Sequence, residues 1–320
     1  MKSITAGIIG GAGYTGGEMI RLLIAHPAVE IRFIHSKSNA GKPVYTVHED
    51  LIGDTALVFD AEWNGDVDVL FLCVGHGEAA KFMAEAGSRL DGVRVIDLSQ
   101  DFRLKAKGWT YGLPELNREA IREAKAVANP GCFATAIQLG LLPLAKAGLL
   151  REVYTTGITG STGAGQGLSP TSHFSWRANN IQAYKTLTHQ HLREIRQTLE
   201  QLQSPAPPVH FVPWRGDFTR GIFVSSQLRC PKRPEEVYEL FEDYYNDHPF
   251  THVSRTPVSL KQVVNTNKCL IQLEQEGDRL VVHSALDNLL KGASGQAVQN
   301  MNLVFGLEEA TGLQLKSIAF

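Results

Sequence analysis

The chain is poor in cysteine. Cys73, Cys132, Cys230 and Cys269 are the only four in 320 residues, and no two form a C-x-x-C pair. That scatter excludes a disulfide framework and a cysteine zinc site, and it fits a reducing compartment. Surplus charge is missing as well: 31 Lys and Arg against 33 Asp and Glu leave a formal charge of −2. A general polyanion binder would be basic, so no nucleic-acid partner is expected. No apolar run approaches membrane-spanning length, and Met1-Lys2 leads straight into a strand-like run without a signal-peptide pattern. A cytoplasmic protein with no membrane partner is the expectation. Repeats and low-complexity tracts are also lacking.

Glycine is what the chain has, 30 residues of it, in a sequence 43% hydrophobic and long enough for two domains with a core each. Thr5 to Ile9 reads as a short strand, followed by Gly10-Gly11-Ala12-Gly13-Tyr14-Thr15-Gly16. A helical pattern through Met19, Leu22 and Leu23 comes next, then a strand over Val29–Ile34. Strand, glycine-rich turn, helix and strand in this order make a dinucleotide-binding unit. The glycines let the backbone approach a pyrophosphate seated on the helix N-terminus. Their spacing is G-x-x-G-x-x-G, a variant of the usual G-x-G-x-x-G. An Asp or Glu after the second strand would bind the ribose 2′-hydroxyl of NAD; here the residues are His35, Ser36, Lys37, Ser38 and Asn39. Hydroxyls plus a lysine suit a 2′-phosphate, so NADP is expected. Val67–Val74 and Val93–Ser99 continue the sheet, the first nearly all apolar, as a strand covered on both faces should be.

Asn129-Pro130-Gly131 is turn chemistry directly before a helix carrying Phe133, Ala134, Ile137 and Leu141. Cys132 therefore falls in a first turn, where unpaired N–H groups and the positive dipole end favour thiolate. It is the candidate nucleophile. A second Gly/Ser/Thr-rich loop, Thr159–Gly167, suits a phosphate or carboxylate. His189 and His191 precede an apolar stripe of Leu192, Ile195, Leu199 and Leu202 at helical spacing. Two apart, they diverge by about 200° on a helix and share a face on an extended entry. Acid/base work suits them better than metal ligation, because no third ligand lies nearby in the sequence. Arg215 and Arg220 flank the turn between strands at Val209–Pro213 and Gly221–Leu228, and either could pair with a substrate anion. A helix at Glu235–Tyr245 and strands near Val258–Val264, Cys269–Glu276 and Arg279–Leu286 make the second domain α+β.

Several separated motifs now stand together: Gly10–Glu18, Gly112-Leu113-Pro114-Glu115-Leu116-Asn117, Ala128–Cys132, Thr162–Gly165, His189-x-His191-x-x-Glu194 and Lys291–Ala297. With them the chain resembles the N-acetyl-γ-glutamyl-phosphate reductases of arginine biosynthesis over nearly its whole length. The resemblance implies an α/β fold with a Rossmann-type doubly wound parallel sheet, residues 1–131 completed by a C-terminal helix in 293–320. It implies an α+β catalytic and oligomerisation domain over 132–292, similar to that of glyceraldehyde-3-phosphate dehydrogenase. The chemistry implied is attack of Cys132 on an acyl phosphate, a thioester, and reduction by NADPH, with His189 or His191 handling the protons. Cofactor contacts implied are Gly10, Gly11, Ala12, Gly13, Tyr14, Thr15, Gly16, Ser36, Lys37, Ser38, Gly163, Gln296 and Asn300. Substrate contacts implied are Arg103, Asn129, Thr162, Glu194 and Arg220. A small-molecule acyl-phosphate substrate, a homodimer or homotetramer and no metal complete the expectation. Arg193 stands where many relatives have Pro, and the second glycine loop begins Thr159-Gly160-Ser161-Thr162 rather than Ser-Gly-x-Ser. Both departures bear on substrate recognition, so N-acetyl and N-succinyl substrates stay open. Aspartate-semialdehyde dehydrogenase and a non-catalytic NADP sensor are the alternatives; a sensor needs no nucleophile.

Overall fold

A computed structural model describes residues 3–318 as two units, residues 3–130 with Ala293–Gln314, and Gly131–Gly292 with residues 315–318. The first unit runs β1 (Ile4–Ile9), α1 (Tyr14–Ile24), β2 (Val29–His35), β3 (Val69–Leu72), α2 (Glu78–Ala86), β4 (Arg94–Asp97), β5 (Thr110–Tyr111), α3 (Pro114–Arg122) and β6 (Ala126–Ala128). The second follows with α4 (Cys132–Lys146), β7 (Val153–Thr159), α5 (Phe174–Arg177), β8 (Gln182–Ala183), α6 (His191–Leu202), β9 (Val209–Arg215) and β10 (Ile222–Arg229). It ends with α7 (Pro234–Tyr245), β11 (Thr251–Ser254), β12 (Cys269–Glu276) and β13 (Arg279–Leu286), and the chain returns to the first unit for α8 (Ser294–Val304). Among the described residues no helix is long and apolar enough to cross a membrane.

The first unit's six strands pair in parallel in the order β2-β1-β3-β4-β6-β5. Strand order reverses between β1 and β3, and ligands bind at such a switch point, outside the carboxyl ends of the strands. The turn leaving β1 there is the Gly10 loop. The apolar sequence of β3 has its reason in burial on both faces: all four of its residues are buried. α8 packs on α1, α3 and β4, and every residue from Ser294 to Leu303 is buried. Buried amides need partners. Asn302 donates to the carbonyls of Glu309 (3.0 Å) and Thr311 (2.9 Å), and its Oδ1 lies 3.1 Å from His26 Nε2.

The second unit holds a mixed sheet in the order β11-β12-β13-β10-β7-β9-β8. Its β7–β9 and β11–β12 pairs are parallel and the others antiparallel. α4 lies against β10 and β13 beside α6, and is buried from Phe133 through Ala145. Gly157 on β7 makes room for it: a β-carbon there would sit 2.6 Å from the Phe133 ring. Phe133 and Phe211 meet edge to face with centroids 5.0 Å apart, which fixes the first turn of α4 on the sheet. The segment expected as a strand near Val258–Val264 is instead a 3₁₀ turn over Leu260–Gln262. Ser259 and Gln262 cap each other there, with the Ser259 N–H donating to Gln262 Oε1 at 2.7 Å. That local bonding outcompetes a strand ladder, and β11 takes the sheet edge.

Candidate active site

In the first unit the three spaced glycines do three different jobs. Gly10 has φ +82°, and a β-carbon there would meet the Cys73 carbonyl oxygen at 2.5 Å, so only glycine makes this turn. Gly16 lets α1 rest on the loop, since a β-carbon would lie 2.6 Å from Gly11 O. Gly13 is the N-cap of α1 and bonds no first-turn N–H through a side chain; a β-carbon on it would meet only Gly10 O, at 3.8 Å. The amides of Tyr14, Thr15 and Gly16 therefore open an uncapped helix end over a bare backbone, which fits a pyrophosphate. His48 braces this loop with Nε2 2.7 Å from Gly11 O. Nothing in the sequence marks this role, because His48 lies 37 residues from Gly11. Ser294, at the start of α8, donates to Thr15 O at 2.9 Å, and Gln296 in the same turn is fully buried.

The end of β2 fits a phosphate as well. The Asp60 carboxylate beside it is engaged by the Ile34 N–H at 3.0 Å. Ser36 is buried, while Lys37 and Ser38 are exposed on the next turn. Lys42 Nζ donates to Asn39 Oδ1 at 3.4 Å and so brings a second cation to the same corner.

In the second unit Cys132 is the first residue of α4, with Gly131 extended before it. Cys132 is half-buried, whereas Cys73, Cys230 and Cys269 are buried. Burial pushes the Cys73 thiol up to about 12, which keeps it protonated and unreactive. The Gly131 N–H donates to Glu194 Oε2 at 3.1 Å, and Glu194 Oε1 lies 3.8 Å from His191 Nε2. Here too glycine is required: a β-carbon on Gly131 would overlap His191 Nε2 and come within 2.7 Å of Glu194 Oε1.

His191 is the first residue of α6, and His189 stands just before it. The backbone bends between them, so the two rings meet edge to face at 4.5 Å although the residues are two apart. His189 Nδ1 accepts the His191 N–H at 3.3 Å, which places the proton of the neutral ring on Nε2. Phe133, Tyr184 and Phe211 also surround His189, at 5.8, 5.8 and 5.5 Å between centroids. Burial in this aromatic box, with the positive Lys185 adding to it, lowers His189 to about 4. Tyr184 is held as a neutral phenol: burial raises it, negative charge at Cys132 raises it further, and Arg215 partly offsets both. It lies in an aromatic, aperiodic stretch, and nothing local in the sequence distinguishes it from its neighbours.

Other expected residues hold parts of the two units together internally. Thr162 Oγ1 donates to Thr219 O at 2.7 Å and accepts from Asn288 Nδ2 at 3.0 Å; the Gly163 N–H closes the same loop on Gly160 O. Arg220 makes a two-point ion pair with the fully buried Asp287, both contacts 3.1 Å, so it anchors its own turn. In the first unit, Arg103 donates to the carbonyls of Asn129 (2.8 Å) and Leu98 (2.9 Å). Asn129 Oδ1 in turn accepts from Asn300 Nδ2 at 3.0 Å, so Arg103, Asn129 and Asn300 form one cluster.

The His189 geometry has a pH signature. Its folded value near 4 lies below the ordinary 6.5, so the unfolded state binds more protons between those values and stability falls as pH drops through them. Between pH 7 and pH 5 the loss is about 2 kcal/mol. His189→Gln removes that share, so its unfolding free energy in urea should fall less over this range than that of the native chain. An equal fall in both proteins would mean that His189 is not held neutral.

Residues 5–124 match the family model described as Semialdehyde dehydrogenase, NAD binding domain, and residues 132–288 match Semialdehyde dehydrogenase, dimerisation domain. An N-acetyl-gamma-glutamyl-phosphate reductase of Phocaeicola vulgatus is 56% identical, over 99% of this chain and 100% of that protein. One of Christiangramia forsetii is 52% identical, over 98% and 99%. Among solved structures, aspartate semialdehyde dehydrogenase II of Vibrio cholerae in complex with ASA gives a TM-score of 0.77 at 18% identity, covering 96% of this chain and 99% of that one. Aspartate semialdehyde dehydrogenase with NADP from Candida albicans gives 0.70 at 18%, covering 95% and 99%. These two likenesses concern the fold. At more than half identity over full length, the chain belongs to the N-acetyl-gamma-glutamyl-phosphate reductase family of semialdehyde dehydrogenases.

Proposed function

We propose that this chain is an NADP-dependent N-acetyl-γ-glutamyl-phosphate reductase, converting the γ-acyl phosphate to the γ-semialdehyde and inorganic phosphate. The observation that carries the reading is Cys132, the one half-buried cysteine, opening α4 beside Glu194, His191 and Tyr184. Its thiolate attacks the acyl carbonyl and expels phosphate, which leaves the acyl group on Sγ as a thioester. Covalent capture divides one difficult step into two easier ones. The α1 N-terminus and the Ser36–Lys42 corner would hold NADPH, which would supply the hydride that reduces the thioester. The resulting hemithioacetal oxyanion collapses, releasing aldehyde and regenerating the thiolate.

His191 is the acid/base group in this scheme. Its Nε2 lies against Gly131, the residue before the nucleophile, and faces the Glu194 carboxylate. A proton taken from the thiol is therefore held beside an opposite charge. His189 Nδ1 is engaged by the backbone and its ring is boxed by aromatics, so it orients His191 rather than exchanging protons. The Tyr184 phenol, kept protonated by burial and by negative charge at Cys132, stays neutral beside the nucleophile. A homodimer or homotetramer in the cytoplasm is part of the same reading.

The test is the reverse reaction: phosphate-dependent reduction of NADP with N-acetylglutamate, N-succinylglutamate and aspartate semialdehydes in parallel. An N-acylglutamate semialdehyde should be the best substrate, and Cys132→Ser should fold yet retain less than about a thousandth of the native rate. A preference for aspartate semialdehyde, or native turnover by Cys132→Ser, contradicts the proposal.

Gly131→Ala should displace His191 and lower kcat on the order of 10²-fold, and its overpacking should cost about 1–3 kcal/mol of stability. Unchanged kcat would remove His191 from the acid/base role.

A further inference from the structure

Three buried guanidinium N–H groups in the second unit, Arg177 Nε, Arg177 Nη1 and Arg215 Nε, have no hydrogen-bond partner. Buried donors left unpaired are costly, and so are like charges side by side. Here both costs fall on one place. Arg177 ends α5 and its Nη2 donates to the carbonyl of Gly216, the residue after Arg215, so the chain itself holds the two side chains as neighbours. Arg177 is lowered from its ordinary value by burial and then by the charge of Arg215, with Asp217 opposing. Asp217 is partly engaged, accepting the Asn179 N–H at 2.6 Å.

The pair also has a direction. The Arg215 guanidinium lies over the Tyr184 ring, 4.9 Å from its centroid, and bonds that side chain. Tyr184 in turn responds to charge at Cys132. The two arginines are thus one aromatic side chain away from the nucleophile. The segment between Arg177 and His189 is held unusually: Asn179, Lys185 and Leu187 all have positive φ, at +54°, +47° and +60°. Such backbone persists where neighbours over-determine it, and functional sites concentrate it.

We propose that Arg177 and Arg215 form a two-guanidinium pocket that takes a carboxylate of the substrate. This rests on the reductase reading. The phosphate leaving group is bonded through oxygen to the carbon that Cys132 attacks, so a site separated from Cys132 by Tyr184 serves another anionic group. A planar carboxylate matches the guanidinium fork and supplies the acceptors these donors lack. The carboxylate is either the α-carboxylate of the glutamyl unit or one carried at the end of the N-acyl chain. Arg220, bound to Asp287, offers no comparable set.

Arg177→Gln and Arg177→Lys are assayed by phosphate-dependent NADP reduction with three semialdehydes: N-acetylglutamate, its α-carboxamide and N-succinylglutamate. If the α-carboxylate is the ligand, Arg177→Gln loses ten- to a hundred-fold in kcat/KM on the N-acetyl substrate, through KM, and loses nothing on the α-carboxamide. If the acyl-chain carboxylate is the ligand, the same loss is confined to the N-succinyl substrate. Arg177→Lys recovers part of either loss. The Tm of Arg177→Gln should not fall below native, because one of two facing like charges is gone; a purely structural arginine would lower it. No loss on any substrate, or equal loss on the carboxylate and the carboxamide, overturns the pocket. Should the native chain turn over none of the three, the reductase reading fails separately. Calorimetric titration with N-acetylglutamate and N-succinylglutamate then decides the pocket: binding present in the native chain and lost in Arg177→Gln supports it, and binding equal in the two, or absent from the native chain, refutes it.

Discussion

The Glu194 carboxylate, almost fully buried, accepts the Gly131 N–H at the start of α4 through one oxygen and faces the imidazole that opens α6 with the other. A negative group at a helix N-terminus is favourable both to the dipole and to the unpaired amides there. One carboxylate therefore sets the spacing between the helix carrying the nucleophile and the helix carrying the histidines. Gly131 is glycine because any side chain would stand in that spacing. Gly157 serves the same end from beneath, by letting Phe133 settle on the sheet.

The two units use helix starts in opposite ways. α4 has its carboxylate built in, and the chemistry beside it needs orientation. α1 has none: Gly13 offers no side chain, and the amides that follow are left for an anionic ligand. Around Cys132 the titratable groups are sorted by burial. His189 is kept neutral and Tyr184 is kept protonated, while positive charge collects at Arg177 and Arg215. A site that meets a substrate bearing several anionic groups has use for neutral donors and fixed cations side by side.

Local signals were legible in the sequence and distant partnerships were not. Gly10, Gly13 and Gly16 could be read because a left-handed φ, an open helix cap and a close helix–loop contact are all features of one short turn, although the Cys73 carbonyl that also crowds Gly10 lies far along the chain. Cys132 could be placed in a first turn because Asn129-Pro130-Gly131 must bend. For His189 and His191 the spacing left two geometries, and the backbone bend at the α6 entry decided between them. Arg220 looked equivalent to Arg215 in sequence; they are separated by Asp287, which lies 67 residues from Arg220 and takes its guanidinium. His48, Tyr184 and Arg177 stayed hidden for the same reason, since their roles come from what the fold sets beside them. Near Val258–Val264 the apolar pattern pointed to a strand, and a Ser259–Gln262 capping box prevailed over it.

The central claim is that Cys132 carries the acyl group between the two chemical steps. The most direct measurement mixes the native protein with N-acetyl-γ-glutamyl phosphate in the absence of NADPH, quenches in acid and reads peptide masses. An acyl adduct on the peptide containing Cys132, formed with release of one equivalent of phosphate and discharged on adding NADPH, is the expected result. An unmodified Cys132 peptide from protein that turns the substrate over when NADPH is present would contradict covalent catalysis by this chain.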